Sequence, residues 1–198
     1  MKKNTREEIL TTAKRLFNER GYNSVSTRDI ADALNISKGN LTYYFKKKEE
    51  IIEALLDEPS ETVPPDAPVD LAGLDAFFLH IGEVVAENAF YFWHHAQLSQ
   101  SSSNIHGKQR NIYRDNCDKL MQTMQRLRGN GLVREESYRG EYERIIDAII
   151  LAGIYWMPFS KLKQAQGPQG SYRSHAWAIL YPLLTGDGKE KLRFIIEL

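Results

Sequence analysis

Within the stretch SKGNLTYYF, Ser37 to Phe45, the residues Lys38, Asn40, Thr42, Tyr43 and Tyr44 crowd polar and aromatic groups into two helical turns. Their chemistry suits recognition better than reaction. A lysine ammonium donates to guanine O6 or N7, an asparagine amide makes a two-point contact with adenine, and threonine offers a hydroxyl or a methyl group. Tyrosine hydroxyls, and the lysines Lys46, Lys47 and Lys48 that follow, suit phosphate oxygens. Wound as a short helix capped by Ser37, the spacing turns Leu41 and Phe45 inward and the polar set outward. Gly39 weakens such a helix by roughly 1 kcal/mol against Ala, yet it leaves no side chain between the backbone and a close partner. Capped turns and solvated lysine loops also occur in proteins that never meet nucleic acid, and the pattern alone leaves both readings open.

Other chemistry finds little support. No G-x-S-x-G or H-E-x-x-H is present, and GDGK at 186–189 lacks the spacing of a phosphate loop. His94 and His95 are adjacent, about 100° apart around a helix, and cannot share one metal without further ligands. Neither a metal nor a cofactor is expected, and an all-α enzyme is the remote alternative.

The helices that must position the stretch are legible on either side of it. From Thr5 to Arg20 the apolar residues Ile9, Leu10, Ala13, Leu16 and Phe17 share one face, and Gly21 ends the run. Ser26 or Thr27 caps a second helix with Ile30, Ala31 and Leu34 inward, and Asn35 tolerates the left-handed turn leading out of it. After the short third helix, at about 38–45, a fourth begins near Lys48 with Ile51, Ile52, Leu55 and Leu56 inward. EPSETVPPDAP then reads as a linker, since it holds Pro59, Pro64, Pro65 and Pro68 without apolar periodicity. Helical patterns return over Leu71–Ala86, Ala89–Gln100, Ile105–Arg128, Glu141–Gln164 and Tyr172–Leu184. No alternating strand pattern appears, so the chain reads as all-α. The expected division is a helix-turn-helix domain over 1–57, a Pro-rich linker over 58–70 and a helical domain over 71–198.

Composition sets limits. The 198 residues carry one cysteine, Cys117, which excludes an intrachain disulfide and suggests a cytoplasmic protein. No apolar run reaches the roughly 18 to 20 residues that span a bilayer, so no membrane partner is expected. The net charge is zero, but it is unevenly spread. Residues 1–48 hold eleven Lys or Arg against five acids, giving +6, and the rest hold fifteen against twenty-one, giving −6. A basic module on an acidic body can hold a polyanion at one end only.

Residues 5–57, above all TAKRLFNERGYNSVSTRDIADALNISKGNLTYYFKKKEEII, resemble the DNA-binding region of the tetracycline-repressor (TetR) family of bacterial transcription regulators. Phe17, Gly21, Thr27, Ile30, Ala31, Gly39, Tyr43, Phe45, Lys48 and Glu49 carry the match in register. The resemblance implies a homodimer that binds a palindromic operator, usually represses, and releases DNA when a small molecule enters the C-terminal domain. By matched position it adds Thr27 and Arg28 to the DNA-facing residues and sets Lys48 on a phosphate. The candidate DNA-binding set is thus Thr27, Arg28, Ser37, Lys38, Gly39, Asn40, Thr42, Tyr43, Tyr44, Lys46 and Lys48. Thr42 departs from the family, which more often has an aromatic there.

Beyond Pro59 the resemblance is limited to helix order and length. Apolar stripes (Phe77 and Ile81; Phe92; Tyr113 and Cys117; Trp156) would enclose a pocket, with Tyr113, His94 and Trp156 as polar handles, and that lining favours a hydrophobic or aromatic effector. The same side chains could equally be plain core. Over 141–164 a second apolar face of Ile146, Ile150, Gly153 and Met157, together with Ile179, Leu180 and Leu183, reads as a dimer surface. The alternative to an effector-controlled regulator is a DNA-binding regulator controlled by a protein partner.

Overall fold

The computed structural model describes residues 5–57, 66–163 and 171–195. The described chain is helical: α1 (Thr5–Arg20), α2 (Thr27–Ala33), α3 (Lys38–Tyr44), α4 (Lys48–Asp57), α5 (Leu71–Glu87), α6 (Ala89–Trp93), α7 (His95–Ser101), α8 (Ser103–Gly129), α9 (Glu141–Ile154), α10 (Trp156–Lys163), α11 (Tyr172–Leu180) and α12 (Gly186–Arg193). Short 3-10 turns follow α1 (Tyr22–Ser24) and α11 (Tyr181–Leu183). An isolated bridge between Val133 and Leu184 is the extended pairing present among the described residues. The expected linker over 58–70 lies outside the described residues as far as residue 65, as do Gln164 and QGPQG. No single described helix is long and apolar enough to cross a membrane.

The helices form two compact units. The first comprises Met1–Ser60 and Asn88–Arg110. Its core joins Ile9, Leu10, Ala13, Leu16 and Phe17 of α1 to Ile30 and Ala31 of α2, Leu41 of α3, and Ile51 and Ile52 of α4. Residues Phe90, Tyr91, Leu98 and Ile105 complete it. The Phe17 ring sits 5.3 Å from Phe90 and 5.4 Å from Tyr22, centroid to centroid. Polar contacts hold the later segment in place. The Phe90 N–H donates to Asn18 Oδ1 at 3.1 Å, the Asn23 and Gln97 amides pair reciprocally at 3.1 and 3.3 Å, and Glu53 accepts from Ser102 Oγ at 2.7 Å. Lys108 forms an ion pair with Asp57. Residues 88–110 therefore pack with the N-terminal helices, whereas the sequence suggested a boundary at 71.

The second unit comprises Glu61–Glu87 and Asn111–Leu198. Here α11 packs against both α5 and α9. Phe78 meets Trp177 edge-on at 5.4 Å, and Leu120, Met124, Ile146, Ile149, Leu180 and Leu183 fill the space around them. The buried Asp75 carboxylate accepts from Arg173 Nε at 2.6 Å, Arg173 Nη2 at 2.8 Å and Trp177 Nε1 at 2.9 Å. A buried charge tolerates such a site only when its lone pairs are matched in this way.

Several helices end where a uniform pattern would continue. The expected helix over 89–100 breaks at His94, because four consecutive aromatics cannot all be covered on one straight helix; Phe90 and Tyr91 are buried while Trp93 is exposed. The expected helix over 141–164 breaks at Tyr155 with a 68° bend. Pro158 accounts for it: its ring opposes the carbonyl of Ile154, the residue at which α9 ends. Pro182 likewise stops α11 at Leu180 instead of 184. The SQSSSN separator shrinks to extended Ser102 between α7 and α8, and α12 has no counterpart in the sequence reading.

Candidate nucleic-acid interface

Local hydrogen bonds build the α2–α3 corner. Ser26 caps α2 by accepting from the Asp29 N–H at 3.2 Å, and Asp29 returns the contact by accepting from the Ser26 N–H at 2.7 Å. That reciprocal box holds the Asp29 carboxyl below its ordinary value, chiefly through the Ser26 hydroxyl. Asn35 leaves α2 at φ 53°, and the Ile36 N–H returns to the Ala31 carbonyl at 3.0 Å. Ser37 then caps α3, its Oγ accepting from the Asn40 N–H at 3.1 Å. At the end of α1, Gly21 adopts φ 83°, which an L side chain would resist.

The resulting α3 has two unlike sides. Leu41 and the adjoining Phe45 are buried, whereas Lys38, Gly39, Asn40, Thr42, Tyr43 and Tyr44 are exposed, Tyr43 at 84%. The Tyr43 and Tyr44 rings meet edge to face at 5.2 Å. Thr42 Oγ1 donates to the Lys38 carbonyl at 2.8 Å. A β-carbon added at Gly39 would meet Ser37 Oγ at 3.8 Å and nothing nearer, so no neighbour within the chain requires a glycine there. On α2, Thr27 is half-buried and Arg28 is exposed, its Nε 3.8 Å from Asp32. Lys46 is exposed, with its backbone N–H committed to Glu50 at 2.7 Å.

Lys48 corrects an expectation. Its ammonium turns into the module and donates to the carbonyls of Tyr22 at 2.7 Å and Val25 at 2.9 Å, lying 3.9 Å from the centre of the Tyr22 ring. Burial pulls its pKa below the ordinary lysine value, against the opposing pull of Glu49. Burial, followed by the Glu49 charge and the 3.3 Å bond from the hydroxyl to that carboxylate, pushes the Tyr22 phenol up. Two of the three Lys48 donors thus tie α4 to the turn after α1, and the residue acts as a brace where a phosphate clamp was expected.

The expected ligand-binding residues are divided between the two units. Phe92 and His94 belong to the first unit, where Phe92 packs against its core and His94 Nδ1 lies 3.1 Å from Gln97 Oε1. In the second unit Phe77 is buried core, Ile81 is half-buried, and Trp156 stacks edge-on against His175 at 4.7 Å. Tyr113 is exposed and donates to Asp147 Oδ1 at 2.7 Å. Cys117 is half-buried, and burial pushes its thiol up, with Asp147, Asp118 and Glu143 adding to the rise and the Tyr113 hydrogen bond opposing it. One polar atom escaped the sequence reading. His80 Nε2 is buried without a hydrogen-bond partner, one helical turn beyond Phe77, and a histidine between apolar residues was the available signal. An open groove of about 490 Å³ in this unit is lined by Arg128, Arg139, Arg144, Glu136 and Glu143 among others, and by none of the expected ligand residues.

The expected dimer surface is also corrected in part. Ile146, Leu180 and Leu183 lie in the core of their own unit, and the Tyr172 ring comes within 3.3 Å of where a Gly153 β-carbon would stand. Helix α11 covers that side. Ile150, Met157 and Ile179 are half-buried. The large apolar side chains left exposed on α9, α10 and the bend are Leu151, Tyr155, Phe159 and Leu162, the last at 76%.

Comparison with known proteins agrees with this architecture. Residues 9–55 match the family described as "Bacterial regulatory proteins, tetR family", and residues 49–192 match a second TetR model described as "Bacterial transcriptional repressor". The chain is 43% identical over 54 residues to the transcriptional regulator QacR of Staphylococcus aureus, covering 27% of this chain and 29% of QacR. It is 41% identical over 51 residues to the repressor KstR2 of Mycolicibacterium smegmatis, covering 26% of this chain and 25% of KstR2. These matches therefore span less than a third of either relative. A TetR-family regulator from Marinobacter aquaeolei VT8 superposes with a TM-score of 0.82 over 97% of both chains at 22% identity, a likeness of fold. With one family model spanning the helix-turn-helix and the other most of the remaining chain, this all-α protein belongs to the TetR family of DNA-binding bacterial transcription regulators.

Proposed function

We propose that this chain is a ligand-responsive repressor that binds a palindromic operator as a homodimer and reads it with α3. The observation that carries the reading is the outer face of α3. Lys38, Asn40, Thr42 and Tyr43 are exposed there, and Gly39 has open space on its own chain's side. A glycine weakens a helix by about 1 kcal/mol relative to Ala, and a DNA backbone or base edge drawn close to α3 supplies the missing reason for it. Lys38 and Asn40 contact bases, while Arg28, Thr27, Tyr44 and Lys46 hold phosphates. Ser37 serves as the cap, and Lys48 braces the module from inside.

The second copy covers Leu151, Tyr155, Phe159 and Leu162, together with Ile150, Met157 and Ile179. An apolar surface of that kind, on helices otherwise well packed, calls for a partner of the same chemistry. The effector is a small hydrophobic or aromatic molecule bound in the C-terminal unit, near Phe77, Ile81, Tyr113, Cys117 and Trp156, with His80 as its polar handle. Its signal must reach the first unit, which holds α3. The Glu53–Ser102 and Asp57–Lys108 contacts then hand it to α4.

Selection of bound sites from random DNA tests the reading. It should return an inverted repeat with half-sites about one helical turn, roughly 34 Å, apart or a multiple of it. Recovery of no common sequence would sink it. For the effector, a thermal-shift screen of aromatic compounds should give hits that also release DNA and that weaken in His80→Phe.

A further inference from the structure

We propose that Thr42 reads the 5-methyl group of a thymine in each half-site, through its own methyl group and over the gap left by Gly39. The inference rests on α3 entering the major groove, and it concerns one base position. Threonine can meet DNA through a donated hydrogen bond, an accepted one or its methyl. The first is already used, because Oγ1 donates to the Lys38 carbonyl at 2.8 Å. Turning the hydroxyl toward guanine N7, guanine O6 or thymine O4 would break that bond. As a β-branched residue, Thr42 has few other staggered positions within a helix.

The relief of the helix surface selects between the remaining two. Residues three apart on a helix are neighbours, so Gly39 and Thr42 share one patch. A β-carbon at Gly39 would stand 3.8 Å from Ser37 Oγ, with nothing closer. The patch is therefore shallow, bordered by the longer Lys38 and by Tyr43, which projects at 84% exposure. A short side chain in a shallow spot reaches a base edge only where the base projects toward it. Among the four base-pair edges in the major groove, the thymine methyl is the apolar group that does so. Amino groups of adenine and cytosine would need an acceptor presented to them, whereas Thr42 Oγ1 is drawn back toward the Lys38 carbonyl by its own hydrogen bond. An aromatic at 42 would fill the patch; threonine leaves room for one methyl group.

The test uses the full-length protein and the inverted repeat recovered from random DNA. Each invariant thymine is replaced in turn by deoxyuridine, which removes only the 5-methyl, and affinity is read by fluorescence anisotropy. One thymine per half-site should lose about four-fold in affinity, and roughly sixteen-fold when both half-sites are changed, the scale of one buried methyl group. In Thr42→Ser, which keeps the hydroxyl and loses the methyl, that penalty should disappear. In Thr42→Val, which keeps the methyl and loses the hydroxyl, it should persist. Deoxyuridine tolerated at every thymine would overturn the assignment while leaving operator binding intact. So would a penalty that survives in Thr42→Ser or vanishes in Thr42→Val. Failure to recover any common DNA sequence would overturn operator reading itself, and this assignment with it.

Discussion

Helix α3 and the bent pair α9–α10 both present large exposed side chains, and they do so for opposite physical reasons. On α3 the exposed groups are polar, and two apolar anchors, Leu41 and Phe45, hold the helix from beneath. Water satisfies such a face until a charged partner displaces it. On α9–α10 the exposed groups are Leu151, Tyr155, Phe159 and Leu162, and the anchoring faces are already covered by α11 and α5. Water does not satisfy that surface. Under the proposed function, the contrast is between a surface that would recognise and one that would associate: altering the first should cost specificity, and altering the second should cost assembly.

Breaking the associating surface should have the largest effect. Glutamates at Leu151 and Leu162 together should leave a folded monomer and lower affinity for the palindrome on the order of a hundred-fold or more, since the second half-site is no longer tethered. Light scattering and anisotropy on the same preparation check this, and a persistent dimer would assign association elsewhere. Aspartate at Leu183 should instead unfold the second unit, because that side chain is core.

Next in size is Asp75→Ala, which leaves Arg173 and the Trp177 indole N–H without their acceptor and should cost roughly 3 kcal/mol in denaturant unfolding. Operator affinity per folded dimer should be unchanged. On the recognising surface, Asn40→Ala should cost about 1 to 3 kcal/mol of operator binding and relax one base position, leaving the melting temperature within a degree or two. An unaltered selection profile would remove Asn40 from the base-reading set.

The two lysines at the edge of α4 sharpen the comparison further. Lys48→Met should lower stability by roughly 1 to 3 kcal/mol, the worth of its charge-assisted bonds to Tyr22 and Val25, with the salt dependence of DNA binding unaltered. Lys46→Ala should do the reverse, flattening the logarithmic salt slope by about 0.9 for each phosphate no longer neutralised while stability holds. If Lys48→Met flattens that slope instead, its ammonium swings out in the complex.

The smallest effect concerns acid. Arg134, and then the Ser137 N–H, hold the Glu141 carboxyl at about 2 against an ordinary 4.5. A folded-state value below the unfolded one contributes stability that is complete above pH 4.5 and fades as the pH falls toward 2. Glu141→Gln should therefore reduce the slope of stability against pH in that window and leave behaviour at neutral pH with a fixed deficit. Denaturant titrations at several pH values would show an unchanged slope if another carboxylate dominates.

The ordering of the first four helices was legible because their signals are local. Ser37 caps a residue three positions ahead, Asn35 carries its own left-handed turn, and Leu41 and Phe45 lie one turn apart on the inward side. Interactions of that range are written in consecutive letters. Pro158 was equally local, and its consequence, a 68° bend at the end of α9, was missed because the apolar run continued through it.

Other features depend on partners far along the chain, and no window of sequence contains them. Lys48 reaches the carbonyls of Tyr22 and Val25, more than twenty residues earlier, so a residue that reads as a phosphate clamp becomes an internal brace. Phe92 and His94 join the first unit because Phe90 meets Phe17 and Asn18 from over seventy residues away. Leu180 and Leu183 become core, and Leu151 and Leu162 surface, only once α11 has chosen which side of α9 to cover. The first four helices, the serine caps of α2 and α3 and the outward face of α3 follow from residue order alone, since each rests on interactions within about four residues. Which apolar faces close on each other, and which charges they trap, is settled in three dimensions, because burial is a property of the neighbours that long-range packing brings together.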